Sequence, residues 1–438
     1  MNLAKGRRFG TFFLLLATVV VSPVPGYAAD RPNVVLILAD DIGFECLGCY
    51  GSREYSTPCL DRLAAGGIRF ANCHATPLCT PSRVNLLSGK SNVFNYIDFG
   101  VYPRGDPTFA NWFKQHGYVT TVAGKWQLLK PDAGISPAAA GFDTWCVWNT
   151  PLTKRARYWH PSLELNGKLM SLDADAYGPD VLAHFLVEFI HENKDQPFLI
   201  YYPMLLVHNP FLPTPDSANR HGRNAKKNFI DMVHYMDKCV QRVIDALETN
   251  GLRERTLIIF VGDNGTNAQL VSVLNGRRIR GGKGYTHDYG THVPLIVNWP
   301  GRVPPHQVNR DLICFSDFLP TLIEAAGLPP MTVADSDGWS FWPQCLGKPG
   351  KKHEWIFTYY FPRPHAGRFD DKYRHWEVRW CRTVRYKLYG YGDFYDTAAD
   401  VLEHHPLPSG KLAPKLRHTR TMLQKALDGY PKTGQRID

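Results

Sequence analysis

Asn33-Val34-Val35-Leu36-Ile37-Leu38 is a continuous apolar run that ends in Ala39-Asp40-Asp41. A strand with one wet face alternates polar and apolar residues. A short run with no alternation predicts a strand buried on both faces, as in a parallel sheet covered by helices on each side. The carboxyl end of such a strand is where open α/β sheets bind ligands, and here it carries two acids. The rhythm repeats down the chain. Residues 57–66 predict a helix with Thr57 at its cap and Pro58 at its first position. Residues 108–115 predict another. Residues 118–123 return as a strand, with Gly124-Lys125-Trp126 at its end. A helix over 176–193 precedes a strand over 198–202 that leads into Leu206-Val207-His208. A long amphipathic helix over 228–250 precedes a strand over 256–261 that ends in Gly262-Asp263-Asn264-Gly265, and 295–297 form a further short strand.

Alternating strands and helices define an α/β fold with a mostly parallel central sheet flanked by helices. After about Gly347 the character changes. The aromatic-rich stretches 355–361, 377–383 and 386–391 predict a smaller C-terminal antiparallel sheet. At 438 residues the chain fits one large domain plus a smaller one. The expected division is an α/β domain over 30–345 and an α+β subdomain over 346–438. The stretch after about Leu407 is the one that reads as disordered.

Residues 1–28 read as an export signal. Lys5, Arg7 and Arg8 precede an apolar stretch over 12–21, and Gly26-Tyr27-Ala28 offers a small-x-small cleavage pattern. The apolar stretch is short for a membrane span, so no stable membrane insertion is expected after cleavage. The expected location is periplasmic, extracellular or another secretory compartment. Removing the signal lowers the net charge from +10 to +7. Export argues against a nucleic-acid partner and favours an acidic substrate or matrix. Setting Cys79 aside, nine cysteines remain, so at least one thiol stays unpaired if the others bridge. Cys46-x-x-Cys49 has no second pair at zinc-ligand spacing and reads as structural.

Four oxygen-bearing residues, Asp40, Asp41, Asp263 and Asn264, follow two strands far apart in sequence. Carboxylates and an amide carbonyl suit a hard cation, Ca²⁺ or Mg²⁺, rather than zinc. Cys79-Thr80-Pro81-Ser82-Arg83 opens a predicted helix, since Pro81 fits a first turn. Backbone N–H groups there point at an anion. The same position lowers a thiol pKa, so an unmodified cysteine nucleophile is one chemistry open to it. Arg83 lies one turn on, roughly on the same face.

The pentapeptide resembles the signature of the type I sulfatases of the alkaline-phosphatase-like superfamily. So do its flanks, Thr76-Pro77-Leu78 before it and Val84-Asn85-Leu86-Leu87-Ser88-Gly89 after it. The resemblance extends from Pro32 to about Thr397. It implies that a formylglycine-generating enzyme oxidises Cys79 to an aldehyde, whose hydrate attacks sulfur and later expels sulfate as the aldehyde re-forms. It implies Ca²⁺, ahead of Mg²⁺, bound by Asp40, Asp41, Asp263, Asn264 and the modified Cys79. Arg83 would hold the diol. Lys125, in Gly124-Lys125-Trp126-Gln127-Leu128, matches the Lys of the family's Gly-Lys-Trp-His-Leu motif. Gln127 replaces the His of that motif, and an amide cannot take the proton that the imidazole takes. His287 and His292 are the candidate substitutes. His208, in His208-Asn209-Pro210, matches a His-x-Pro motif and would protonate the leaving oxygen or bind sulfate. Lys283, in Gly281-Gly282-Lys283-Gly284, matches a second sulfate-binding Lys, with glycines that let backbone approach the anion. Asp288-Tyr289-Gly290-Thr291-His292-Val293-Pro294 follows the Glu-Gly-Gly-x-Arg-Val-Pro frame with two substitutions, and His292 falls on its substrate-facing edge.

The function these residues imply is removal of sulfate from a monoester. A sulfated small molecule or glycan is the substrate, a carbohydrate before others. The aromatic and basic residues after Cys345 suit stacking on sugars or an ordinary core. Two alternatives share the motifs: a phosphate or phosphonate monoester hydrolase of the same superfamily, and a sulfated-glycan-binding protein impaired by the change at Gln127.

Overall fold

The computed structural model describes residues 31–330, 332, 335–362, 377–408, 410 and 412–433. The expected signal segment lies outside the described residues. The opening apolar run is strand β1 (Asn33–Ala39), buried along its whole length. Val34, Leu36 and Leu38 point into one core, and Val35, Ile37 and Ala39 into a second on the other face. The lack of polar alternation thus has its physical cause: neither face of this strand meets water.

The other strands follow in order. They are β2 (Ile68–His74), β3 (Val119–Lys125), β4 (Thr144–Trp148), the short β5 (Glu164–Leu165) and β6 (Lys168–Leu169), β7 (Phe198–Pro203) and β8 (Thr256–Gly262). A separate hairpin of β9 (Val271–Leu274) and β10 (Arg277–Arg280) precedes β11 (His292–Asn298) and β12 (Gln307–Cys314). The main sheet runs β12-β2-β11-β8-β1-β7-β3-β4-β5-β6. Its centre, β8-β1-β7-β3-β4, is parallel throughout. β11 runs antiparallel to both its neighbours. Helices Cys79–Ser88, Phe109–Gln115 and Phe318–Ala325 pack one core. Helices Pro58–Ala65, Gly178–Glu192 and Ala225–Thr249 pack the other.

Four strands, β13 (Ile356–Tyr360), β14 (Val378–Arg382), β15 (Tyr386–Tyr389) and β16 (Phe394–Asp396), form the small antiparallel sheet in sequential order. The stretch expected to be disordered instead contains helix Pro414–Asp428. It buries Leu423, Ala426 and Leu427 against Cys381, Leu388 and Phe394 on one face of this sheet. Its apolar stripe is narrow and lies between charged residues, which hid it in the sequence. On the opposite face, Tyr360, Trp380, Tyr389 and Tyr395 pack on Leu78, the residue before Cys79. These aromatics are therefore core, and they brace the Cys79 turn. All ten thiols are unpaired.

Arg382 also ties the small sheet to the large one. It is buried, and its Nη1 donates to Asp288 Oδ1 at 2.5 Å and lies 3.2 Å from His74 Nδ1. Removing one partner of a buried ion pair leaves the other charge uncompensated. Arg382→Ala is therefore expected to destabilise the fold by roughly 3 kcal/mol, read as a lower midpoint in urea unfolding. An unchanged midpoint would show that this tie contributes nothing.

Candidate active site

Neighbouring parallel strands deliver the polar residues to one edge of the sheet. Asp263 and Asn264 follow β8, Asp40 and Asp41 follow β1, His208 follows β7, and Lys125 ends β3. Gly124 permits the last of these placements. Its φ is +130°, and a Cβ there would stand 1.9 Å from the Pro203 carbonyl oxygen on β7. The chain turns sharply at Asp41, whose φ of +63° is in the left-handed region that Asp tolerates better than most residues. The Asp41 N–H donates to Asp263 Oδ1 at 3.0 Å, which fixes β1 and β8 to each other at this edge.

The carboxylates meet three cations. Lys125 Nζ is 2.8 Å from both oxygens of Asp40. Lys283 Nζ is 2.6 Å from Asp41 Oδ2. Arg83 donates through Nη2 to Asp263 Oδ2 at 3.0 Å and through Nη1 to the Lys125 carbonyl at 2.9 Å. His208 Nε2 lies 3.7 Å from Asp41 Oδ2. Asp40, Asp41, Asp263, Asn264 and Arg83 are fully buried. Three buried carboxylates beside three buried or nearly buried cations tolerate the loss of solvent only because they neutralise one another.

Cys79 is the first residue of its helix and only 2% exposed. A carboxylate oxygen of Asp40, one of Asp263 and the Cys79 sulfur all lie within 4.8 Å of one another. The rest of the pentapeptide builds the turn. The Ser82 hydroxyl lies 2.6 Å from that of Thr76, accepts from the Thr76 N–H and donates to its carbonyl. Thr80 accepts from the Gly100 N–H at 3.1 Å, and the Pro81 carbonyl accepts from Asn92. Lys283 is positioned by its own backbone, which donates to the Thr266 carbonyl at 2.9 Å, while Gly284 donates to Pro77. Gly281 and Gly282 serve packing rather than an anion. A Cβ on either would come within 2.3 Å of backbone atoms of Asn267 or Tyr289.

Burial resists ionisation of Asp40, but Lys125, His208 and Arg83 hold its carboxyl well below the usual range. Burial likewise resists ionisation of Asp41, and His208 with Lys283 overcomes it. Asp263 goes the other way: burial and the charge of Asp40 push it up to about 7. Burial lowers His208 to about 4 against the pull of Asp41. Asn264 donates from Nδ2 to Asp41 Oδ1 at 3.0 Å, yet its Oδ1 is buried and accepts nothing. An unpartnered amide oxygen among three buried carboxylates is the donor set of a hard divalent cation. The residues present fit such an ion.

Gln127 lies two residues beyond Lys125 in a left-handed conformation, with φ +55°, and its Oε1 is buried without a partner. The two histidines weighed as substitutes stand elsewhere. His292 stacks on Phe44 at 4.1 Å and neighbours His74, Asp288 and Arg382. His287 stacks on Tyr285. Among the described residues neither forms a hydrogen bond or ion pair with the Asp40–Lys125 group: His292, the first residue of β11, faces Arg382 of the small sheet, and His287 faces Lys387. Arg157 was missed by sequence reasoning. Its Nη1 is 3.0 Å from His208 Nδ1, and its guanidinium lies 4.0 Å over the Trp148 ring. The basic cluster Lys154-Arg155-Ala156-Arg157 was the one sign of it in the sequence.

The chain matches the Sulfatase family over residues 32–328, and the family of the N-sulphoglucosamine sulphohydrolase C-terminal region over 282–427. It is 32% identical over 383 residues to arylsulfatase A of Homo sapiens, covering 78% of this chain and 73% of that protein. It is 29% identical over 415 residues to the N-acetylgalactosamine-6-O-sulfatase of Bacteroides thetaiotaomicron, covering 76% and 80%. The solved structure of BT4656 in complex with its substrate D-glucosamine-2-N,6-O-disulfate shares the fold. Its TM-score is 0.73 at 20% identity, over 91% of this chain and 98% of that one. The chain therefore belongs to the sulfatase family, as a type I sulfatase of the alkaline-phosphatase-like superfamily, an enzyme that hydrolyses sulfate esters.

Proposed function

We propose that this sulfatase removes sulfate from a carbohydrate sulfate ester, using formylglycine made from Cys79 beside a calcium ion held by Asp40, Asp41, Asp263 and Asn264. The observation that carries this reading is the convergence of the Cys79 sulfur with Asp40 and Asp263 at the first turn of a helix. The hydrated aldehyde would supply a nucleophilic oxygen, and loss of the proton of its second hydroxyl to water would break the C–O bond to sulfate as the aldehyde re-forms, to be hydrated again. The cation, when bound, offsets charge on the sulfate and on the nucleophile. Three side-chain cations at least offset the three carboxylates, so a divalent ion would leave the group net positive toward an anionic ester.

The chain's own residues do the rest. Arg83 is one turn below Cys79, and its contacts to Asp263 and the Lys125 carbonyl hold it rigidly beside the aldehyde position. Lys125 and Lys283 bind the sulfate oxygens from the two sides set by Asp40 and Asp41. Gln127 presents a free carbonyl oxygen that can orient a hydroxyl but cannot take its proton. His208 is the imidazole of the group, and its Nε2 faces the same space as Lys283. Burial leaves it neutral near neutral pH, and the anionic ester bound beside it favours the imidazolium that protonates the leaving oxygen.

The carbohydrate assignment draws on the relatives: one is named for an N-acetylgalactosamine 6-O-sulfate, and one neighbour is described with a disulfated glucosamine. Residues 1–28 are proposed to direct export, with 30–345 as catalytic domain and 346–438 as the C-terminal subdomain. The testing experiment is peptide mass spectrometry across Cys79 in protein from the native source, paired with release of inorganic sulfate from sulfated glycans. An aldehyde and repeated turnover are expected. A thiol in fully active protein would sink the mechanism. Faster turnover of a phosphonate ester than of the sulfate ester of the same phenol would favour the phosphonate hydrolase alternative.

The role of His208 has its own test. General acid catalysis contributes about 10²–10⁴-fold and matters most for poor leaving groups. His208→Ala is expected to lower kcat/KM by roughly 10²–10³-fold on a sugar sulfate but only about tenfold on 4-nitrophenyl sulfate, whose phenolate leaves without a proton. Equal losses on both substrates would argue against proton donation.

A further inference from the structure

The cations in the catalytic group are already committed. Lys125, Lys283 and Arg83 each contact a buried carboxylate. Arg157 is different. It stands at the next position outward, against the far nitrogen of His208. Among the described residues it has no carboxylate partner, and of its three nitrogens only Nη1 meets an acceptor. Its Nε is buried with nothing to bond to. The guanidinium is nevertheless fixed in place by its stack on Trp148.

The loop that carries Arg157 is held firmly to the strand ends. Tyr158, the next residue, is buried and donates to the Leu205 carbonyl at 2.9 Å and to that of His208. Trp159 donates to Pro213 at 2.8 Å, and Trp148 donates back to the Lys154 carbonyl at 2.9 Å. Arg220 lies 4.5 Å over Trp159. Lys154, Arg155 and Arg220 are exposed, and none of them forms an ion pair with a described residue. The contact with His208 is replaceable. The same Nδ1 lies 2.6 Å from the Asn209 carbonyl, and a ring nitrogen serves either a donor or an acceptor, never both at once. His208 thus keeps a partner when Arg157 turns to another.

We propose that Arg157 binds a second anionic group of the substrate, a sulfate or a carboxylate, next to the sulfate ester that is cleaved. The preferred substrate is then a glycan carrying at least two anionic groups. A planar guanidinium with free donors recognises such a group by paired N–H···O bonds, which a lysine cannot reproduce. The unpaired cations around it add a favourable field at the rim. The assignment rests on the reading of the neighbouring group as the sulfate-cleaving site and names the substrate class that site takes.

The test is direct binding, so it does not depend on turnover. Two ligand pairs are titrated into the Cys79→Ala protein and into the same protein with Arg157→Ala or Arg157→Lys. One pair is D-glucosamine-2-N,6-O-disulfate against N-acetyl-D-glucosamine-6-O-sulfate. The other is a monosulfated chondroitin disaccharide against its uronate methyl ester. The more anionic member is expected to bind about tenfold more tightly, with the preference falling to about twofold or less in Arg157→Ala and recovering only in part in Arg157→Lys. The first pair reports a second sulfate, the second a carboxylate. No preference in either pair, or one that survives Arg157→Ala, overturns the proposal. Thermal melting of each variant separates misfolding from lost recognition. If sulfate release fails while the preference holds, the catalytic reading falls and the binding assignment stands.

Discussion

Replacing Cys79 by alanine is expected to lower turnover of 4-nitrophenyl sulfate by at least about 10⁵-fold while the fold melts within a few degrees of the parent. The two halves of this prediction have separate causes. The side chain is small and lies at the first turn of its helix, and among the described residues its sulfur accepts and donates no hydrogen bond. Alanine fills most of the same space, so removing the sulfur costs the core about 1 kcal/mol. Chemically the loss is near complete, because the proposed attacking group is made from Cys79, whose sulfur lies within 4.8 Å of carboxylate oxygens of Asp40 and Asp263. What remains is positioning by Lys125, Lys283 and Arg83, which accelerates nothing without an attacking atom. Initial rates and a melting curve on the same preparation check both halves. Activity above about a hundredth of the parent would show that another group attacks sulfur. A collapse in melting temperature would show that Cys79 is mainly a packing residue, and the rate would then say nothing about chemistry.

The acidic strand ends are legible in the sequence because their information is local. Asp40-Asp41 and Asp263-Asn264 each follow an apolar run, and a strand buried on both faces announces itself in a few residues. Strand order is different. That β8, β1, β7 and β3 lie side by side is decided by contacts across more than two hundred residues, and no short pattern states it. The same holds for β11. Its sequence reads as one more apolar strand, yet it runs antiparallel and carries His292 into the Phe44–His74 stack. The glycines near Lys283 show the opposite error. A Gly-Gly-Lys-Gly run suggested an anion cradle, whereas close backbone packing on Asn267 and Tyr289 already accounts for Gly281 and Gly282. Arg157 shows in the sequence only as one member of a basic cluster, because its value depends on what it lacks, a carboxylate partner, and the packed structure is needed to show that.

Chelation of divalent ions is expected to abolish sulfate release, and added calcium to restore both activity and several degrees of melting temperature. Asp40, Asp41 and Asp263 are buried beside one another, and their mutual repulsion is visible in Asp263, which Asp40 helps to hold half-protonated near neutrality. Lys125, Lys283 and Arg83 reduce that repulsion, but none of them reaches Asn264 Oδ1, which stays buried and unsatisfied. Leaving such an oxygen without a partner costs about 1–3 kcal/mol, so a cation that takes it binds the native chain and not the unfolded one. At a hundredfold excess over its dissociation constant that linkage is worth about 2.7 kcal/mol. Calcium accepts irregular oxygen sets, whereas magnesium demands near-octahedral geometry and retains its waters. Calcium should therefore restore more than magnesium at equal concentration. Asn264→Ala sharpens the test by removing the oxygen that lacks a partner. It should raise the calcium needed for half-maximal activity by at least about 10–100-fold, the range seen even for residues that only support a ligand. It should also remove most of the calcium-dependent shift in melting. If chelated protein with no bound metal keeps full activity, or if Asn264→Ala responds to calcium as the parent does, the four residues are a buried ion-pair cluster and hold no cation.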